Sequence, residues 1–174
     1  MNDIASLFTL VLRLALAILF ATAALAKLRQ RRDFYAAALA YQLLPPRQAM
    51  GIAVILPWTE VAIALGLIAG FSAAAYAAAG LLLAYALAMA VNLGRGRRNL
   101  DCGCGGAPQA LSIWLVLRNI VLAGAALTPL YLADSQRPPG PAELLVAATA
   151  AGVLAVLYIA GHRLLSNSDK STDK

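Results

Sequence analysis

Of 174 residues, 61% are hydrophobic and only 13% charged, and the mean hydropathy is +0.75, whereas soluble domains carry about 25% charged residues. A water-soluble domain of this size cannot bury so much apolar surface, so the solvent of this chain is lipid. The net charge of +6 does not point to nucleic acid, because the basic residues form short clusters beside apolar runs without interleaved aromatics.

About 20 apolar residues cross the hydrocarbon core, and five segments qualify: about 4–26, 49–70, 73–93, 112–132 and 141–161. The first has a cleavage-like Ala24-Leu25-Ala26, but its start carries Asp3 and no basic residue, and its apolar stretch exceeds that of a signal peptide. It is read as a retained span. Next, four basic residues at 27–32 combine with Phe34, Tyr35, Leu39, Tyr41, Leu43 and Leu44. This pattern predicts an amphipathic helix over about 30–44, lying in the interface and stopped by Pro45-Pro46.

Gly70 to Ser72 leaves room only for a tight turn, so spans two and three form an antiparallel hairpin. The loop from Gly94 to Leu111 carries Arg95, Arg97, Arg98 and then Asp101-Cys102-Gly103-Cys104-Gly105-Gly106. A short proline-rich loop precedes the last span, and the polar tail 166–174 is expected to be disordered. The expected fold is all-α: one membrane domain over 1–165, a polytopic bundle of about five transmembrane helices around a four-helix core, with one interfacial helix. The Ala and Gly texture suits close helix packing in lipid.

Lysine and arginine bias sets orientation. One side carries Lys27, Arg29, Arg31, Arg32, Arg47, Arg95, Arg97, Arg98, Arg163, Lys170 and Lys174; the other carries Arg137 alone. A multi-pass protein of the bacterial inner membrane would then have its N-terminus outside and its cysteine loop in the cytoplasm.

Two cysteines separated by one glycine give no framework of the secreted kind. They can close a very small, strained and hence easily reduced ring, which makes Cys102 and Cys104 candidates for redox chemistry. Gly103, Gly105 and Gly106 supply the backbone freedom such a ring needs. The nearby arginines would favour a thiolate, whereas Asp101 would disfavour it. Two other readings stay open: inert residues in a loop, and transient handling of a soft metal ion. No structural metal site is read, since structural zinc asks for four Cys or His ligands and the chain offers two cysteines and a lone, distant His162.

Arg13, Glu60 and Arg118 lie inside spans, where a charge needs a partner. At a rise of about 1.5 Å per residue, Arg13 sits about 20 Å and Glu60 about 17 Å from the basic side, so the two could pair. Arg118, about 9 Å in, is close enough to the cysteine loop to reach toward it, or could meet Glu60 through water. Either Arg13 and Glu60 form a structural ion pair, or with Trp58 they line a pocket for a quinone or a substrate head group, opened by a kink at Pro57. Asn92 and Asn119 are expected to hydrogen-bond across spans three and four.

Several of these motifs occur together in one family. Arg13, Ala26-Lys27-Leu28, Phe34, Tyr41-Gln42-Leu43-Leu44-Pro45, Leu56-Pro57-Trp58-Thr59-Glu60, Leu65-Gly66-Leu67, Asn92-Leu93-Gly94-Arg95-Gly96, the Asp101–Gly106 block and Arg118-Asn119 resemble MauE. This family of methylamine-utilisation membrane proteins is related to DoxX-like redox-associated proteins. The resemblance spans about residues 10–130. It implies a role in maturing methylamine dehydrogenase, whose disulfide-rich small subunit is exported, together with MauD, a thioredoxin-like protein. It also implies that Cys102 and Cys104 form the redox pair. The exported client points to the periplasm, against the charge bias.

The leading expectation is therefore a membrane thiol-disulfide redox protein, an oxidoreductase if the pair cycles. The alternatives are a non-catalytic scaffold for export or maturation of a partner and, less well supported, a small-solute or metal transporter.

Overall fold

A computed structural model describes residues 2–101, 110–132 and 140–153. The elements run α1 (Asn2–Arg29), α2 (Arg31–Ala40), α3 (Pro46–Ala69), α4 (Ser72–Gly94) and α5 (Ile113–Leu132), followed by α6 (Pro141–Val153). Among the described residues, α1, α3, α4 and α5 are long and apolar enough to cross a membrane. The four-span core of the expected bundle is thus present. The helix α6 begins where the fifth span is expected, and the rest of that span and the tail 166–174 lie outside the described residues.

The interfacial helix is shorter than the sequence pattern suggests. It ends at Ala40, and Gln42 then takes a left-handed conformation with φ of 49°. Pro45 and Pro46 do not stop this helix; they open the next one. Pro45 is the N-cap of α3 and Pro46 its first residue, a position where a fixed φ and a missing N–H carry no penalty. Span two accordingly starts three residues before its expected boundary. Pro57 is buried within α3, which is helical on both sides of it.

The expected α3–α4 hairpin is present. The amide of Phe71 donates to the carbonyl of Gly66 and that of Gly70 to Leu67, and Gly70 has φ of 83°. This is a Schellman closure, and it uses the glycine's left-handed freedom. Beside it the two helices approach so closely that a methyl group at position 66 would come within 2.7 Å of Ala74 Cβ.

Among the described residues, packing forms two clusters. One joins α1, α3, α4 and α5 in the hairpin half through Leu16, Phe20, Ile63, Leu67, Ala78, Leu82 and Ala123. The other lies in the basic half, where Ala86 and Met89 of α4 meet Leu111, Leu115 and Val116. Alanine dominates the first of these contact surfaces, whereas larger side chains make up most of the second. In lipid, with no hydrophobic drive between helices, such small residues let backbones approach and gain dispersion energy.

Candidate functional site

Three helices place one polar cluster between these packing layers. Lys27 Nζ of α1 lies 2.5 Å from Glu60 Oε1 of α3, and the Tyr85 hydroxyl of α4 donates to the same oxygen at 2.6 Å. Glu60 is fully buried, and Lys27 is 3% exposed. The ammonium also stands 5.5 Å from the ring centroid of Phe34 on α2 and 5.3 Å from that of Tyr85, within cation–π range. Glu60 Oε2 has no hydrogen-bond partner among the described residues.

This arrangement corrects the expected pairing of Glu60 with Arg13. Side chains on a helix lean toward its N-terminus. For Lys27, near the C-terminal end of α1, that lean points into the membrane and brings the ammonium down to Glu60. For Arg13 the same lean points to the opposite surface, where the guanidinium meets the end of α3. A methyl group at Gly70 would come within 3.0 Å of Arg13 Nη1. There the cation faces the negative pole of the α3 dipole. Depths measured from Cα positions alone made the two residues look paired, and Lys27 look like a headgroup charge.

Trp58 does not join the cluster either. It is 59% exposed, because two residues along a helix turn it to the far side from Glu60. Asn92 and Asn119 do not bond across α4 and α5. Each donates to the carbonyl four residues back on its own helix, Asn92 to Ala88 at 3.1 Å and Asn119 to Leu115 at 2.8 Å. Arg118 is half-buried on α5, near its start.

Tyr85 and Lys27 are the members that sequence reasoning missed. A tyrosine within an Ala-Leu span needs a partner for its hydroxyl, and a lysine near a helix C-terminus leans inward; both signals were available.

Beside the cluster, α2, α3 and α4 enclose an apolar cavity of about 310 Å³, with Phe34, Tyr41, Leu56, Tyr85 and Met89 in its lining. Its rim includes Leu43, Leu44, Ile52 and Ala84, which are exposed on the outer surface of the bundle. Tyr85 is therefore both cavity wall and ligand of the buried carboxylate.

Cys102, Gly103, Cys104 and Gly105 lie outside the described residues. Their flanks are described. Asp101 forms an antiparallel bridge with Ala110, and the amide of Leu111 donates to the carbonyl of Arg98 at 3.0 Å. Leu100, Leu111, Tyr41 and Tyr85 all pack on the cluster around Met89. Arg95 Nη1 further donates to the carbonyl of Gln42 at 3.3 Å. The two ends of the cysteine-bearing segment are thus held together, at the basic end of the bundle and against the layer that walls the cavity.

A helical bundle with four membrane-crossing lengths, a buried ion pair and a laterally open cavity defines a polytopic membrane protein with an intramembrane polar site. Its family follows from comparison with known proteins: the family model described as Methylamine utilisation protein MauE matches residues 5–132, and the chain belongs to that family. It is 42% identical over 160 residues to Methylamine utilization protein MauE of Paracoccus denitrificans, covering 88% of this chain and 84% of that protein. The protein of the same name from Paracoccus versutus is 43% identical over 157 residues, with 88% and 84% covered. That from Methylorubrum extorquens is 40% identical over 162 residues, with 91% and 87% covered. No solved structure matches the chain.

Proposed function

We propose that this protein is a membrane thiol-disulfide redox protein of the methylamine-utilisation system, in which Cys102 and Cys104 exchange a disulfide with a thioredoxin-like partner. The client is the disulfide-rich small subunit of methylamine dehydrogenase. The observation that carries the reading is the pinning of the cysteine segment's ends. The Asp101–Ala110 bridge joins the two flanks of the cysteine segment, and Leu100 and Leu111 pack them on the bundle, an arrangement that suits a reactive pair presented to a partner.

In the exchange, a partner thiolate attacks one sulfur of the Cys102–Cys104 disulfide and the other cysteine leaves as a thiolate. A second partner thiolate then resolves the mixed disulfide. One S–S bond breaks here and one forms on the partner, and two electrons move to this chain. Trapping tests this: Cys102→Ser or Cys104→Ser should accumulate a covalent adduct with a thioredoxin-like protein, visible as a reducible band. If no adduct forms under any redox condition, and a double Cys→Ser variant still matures methylamine dehydrogenase, the protein is a scaffold and the redox reading is wrong.

The basic surplus on the α1 C-terminal side supports a cytoplasmic position for the cysteine segment. Lys27 leaves that tally because its charge is engaged with Glu60, and the surplus remains. A membrane-impermeant maleimide should therefore label Cys102 and Cys104 only after cells are permeabilised. Labelling in intact cells would instead put the segment in the periplasm, where the exported client resides.

A further inference from the structure

A dithiol left by that exchange must be reoxidised, and the cavity beside the ion pair fits an acceptor. We propose that the cavity between α2, α3 and α4 binds the ring of a lipid-soluble quinone. The inference rests on the redox reading above and names the electron acceptor for it.

The cavity volume of about 310 Å³ falls at the lower end of the roughly 300–1,000 Å³ range of small-molecule sites. It opens sideways between exposed apolar residues, so its occupant arrives through lipid rather than water. An acyl chain would match the apolar rim, but the wall asks for more. The rings of Phe34, Tyr41 and Tyr85 line it, and flat π-faces favour a planar ring.

Behind two of those rings stands the Lys27 ammonium, buried and bonded to a single carboxylate oxygen. The second Glu60 oxygen has no partner among the described residues. Neither Lys27 nor Glu60 lines the cavity itself; the Tyr85 hydroxyl, which donates to Glu60, belongs to a lining residue and links a polar occupant to the buried pair. A quinone carbonyl accepts hydrogen bonds, and the quinol hydroxyl that replaces it donates them, whereas a hydrocarbon chain does neither. The same packing layer that contributes Tyr41, Tyr85 and Met89 to the wall also holds Leu100 and Leu111, which flank the cysteine segment.

The electron balance closes. Oxidising a dithiol breaks two S–H bonds, forms one S–S bond and releases two electrons and two protons. The quinone takes up all four, its two carbonyl groups becoming the two hydroxyls of the quinol.

The test is photolabelling of the purified full-length protein in detergent micelles with a short-chain azido-benzoquinone. Label is expected within 34–41 or 81–89, displaced by excess unlabelled benzoquinone of the same chain length and not by oleate. Filling the cavity with Ala84→Trp, or independently with Ala38→Phe, should reduce labelling about tenfold, with the thermal unfolding midpoint reporting that the variant is folded. Label elsewhere, label undiminished in a folded filled variant, or displacement by oleate as effective as by quinone would overturn the proposal.

The Cys102→Ser, Cys104→Ser double variant should label normally. Retained labelling with no trapped partner would sink the redox reading alone. A trapped partner with no quinone labelling would sink this one alone.

Discussion

The two ends of the α3–α4 pair are built in opposite ways. At the hairpin, Gly66 lies so close to Ala74 that no methyl group fits between them, and a Schellman closure locks the turn. Toward the basic side, α2, Tyr41, Leu43 and Leu44 join α3 and α4 in surrounding a cavity. Glycine and alanine at the contact close the first end. At the second, Leu56, Tyr85 and Met89 line the cavity, and the buried Lys27–Glu60 pair lies beside it. One helix pair thus combines a close backbone contact at one end with a polar cluster beside a cavity at the other.

Removing one member of the ion pair should have the largest effect on this contrast. Lys27→Ala leaves a carboxylate in a low-dielectric core, and breaking a buried pair costs about 3–5 kcal/mol. A marked drop in the detergent unfolding midpoint is expected, and the Lys27→Met, Glu60→Leu double variant should recover most of it. If Lys27→Ala were as stable as the parent while Arg13→Ala collapsed, the assignment of Glu60 to Lys27 would be wrong.

Much of this design could be read from sequence and part of it could not, for identifiable reasons. The four described spans, the Gly70 turn and a short helix after the first span follow from hydropathy and from glycine, because both act locally. The end of α2 was misplaced because a proline pair reads as a stop and as a start, and only the left-handed Gln42 shows which applies. Glu60 stood out as a charge in lipid, but its partner depended on the direction in which side chains lean. The cavity had no sequence signature, since it arises where three helices meet. The cysteine block was the clearest motif in the chain, and its anchoring by Asp101 and Ala110 emerges only from the backbone.

Closing the gap at the hairpin tests the tight end. Gly66→Ala pushes a methyl group into Ala74 Cβ at 2.7 Å, and both atoms belong to short side chains that cannot swing away. Helix displacement should destabilise the protein by about 1–3 kcal/mol, read as a lower unfolding midpoint. Tyr85→Phe probes the open end more gently. It deletes the 2.6 Å hydrogen bond to Glu60 but keeps the ring in the cavity wall, so a loss of about 1 kcal/mol is expected. A loss as large as that of Lys27→Ala would mean that the hydroxyl, rather than the ammonium, holds the carboxylate in place.

The smallest effect sharpens the comparison most directly. Gly80 lies on α4 like Ala74, yet a methyl group there meets nothing within 4 Å, because the residue faces away from α3 and the rest of the bundle. Gly80→Ala therefore adds helix propensity without a clash, and the expected change is stabilisation of up to about 1 kcal/mol. The pair Gly66→Ala and Gly80→Ala makes the same chemical change on two adjacent helices, so their opposite signs isolate interhelical distance as the cause. Equal destabilisation of both would show that the methyl group acts on each helix by itself, and that the close approach of α3 to α4 contributes nothing to the stability of the hairpin end.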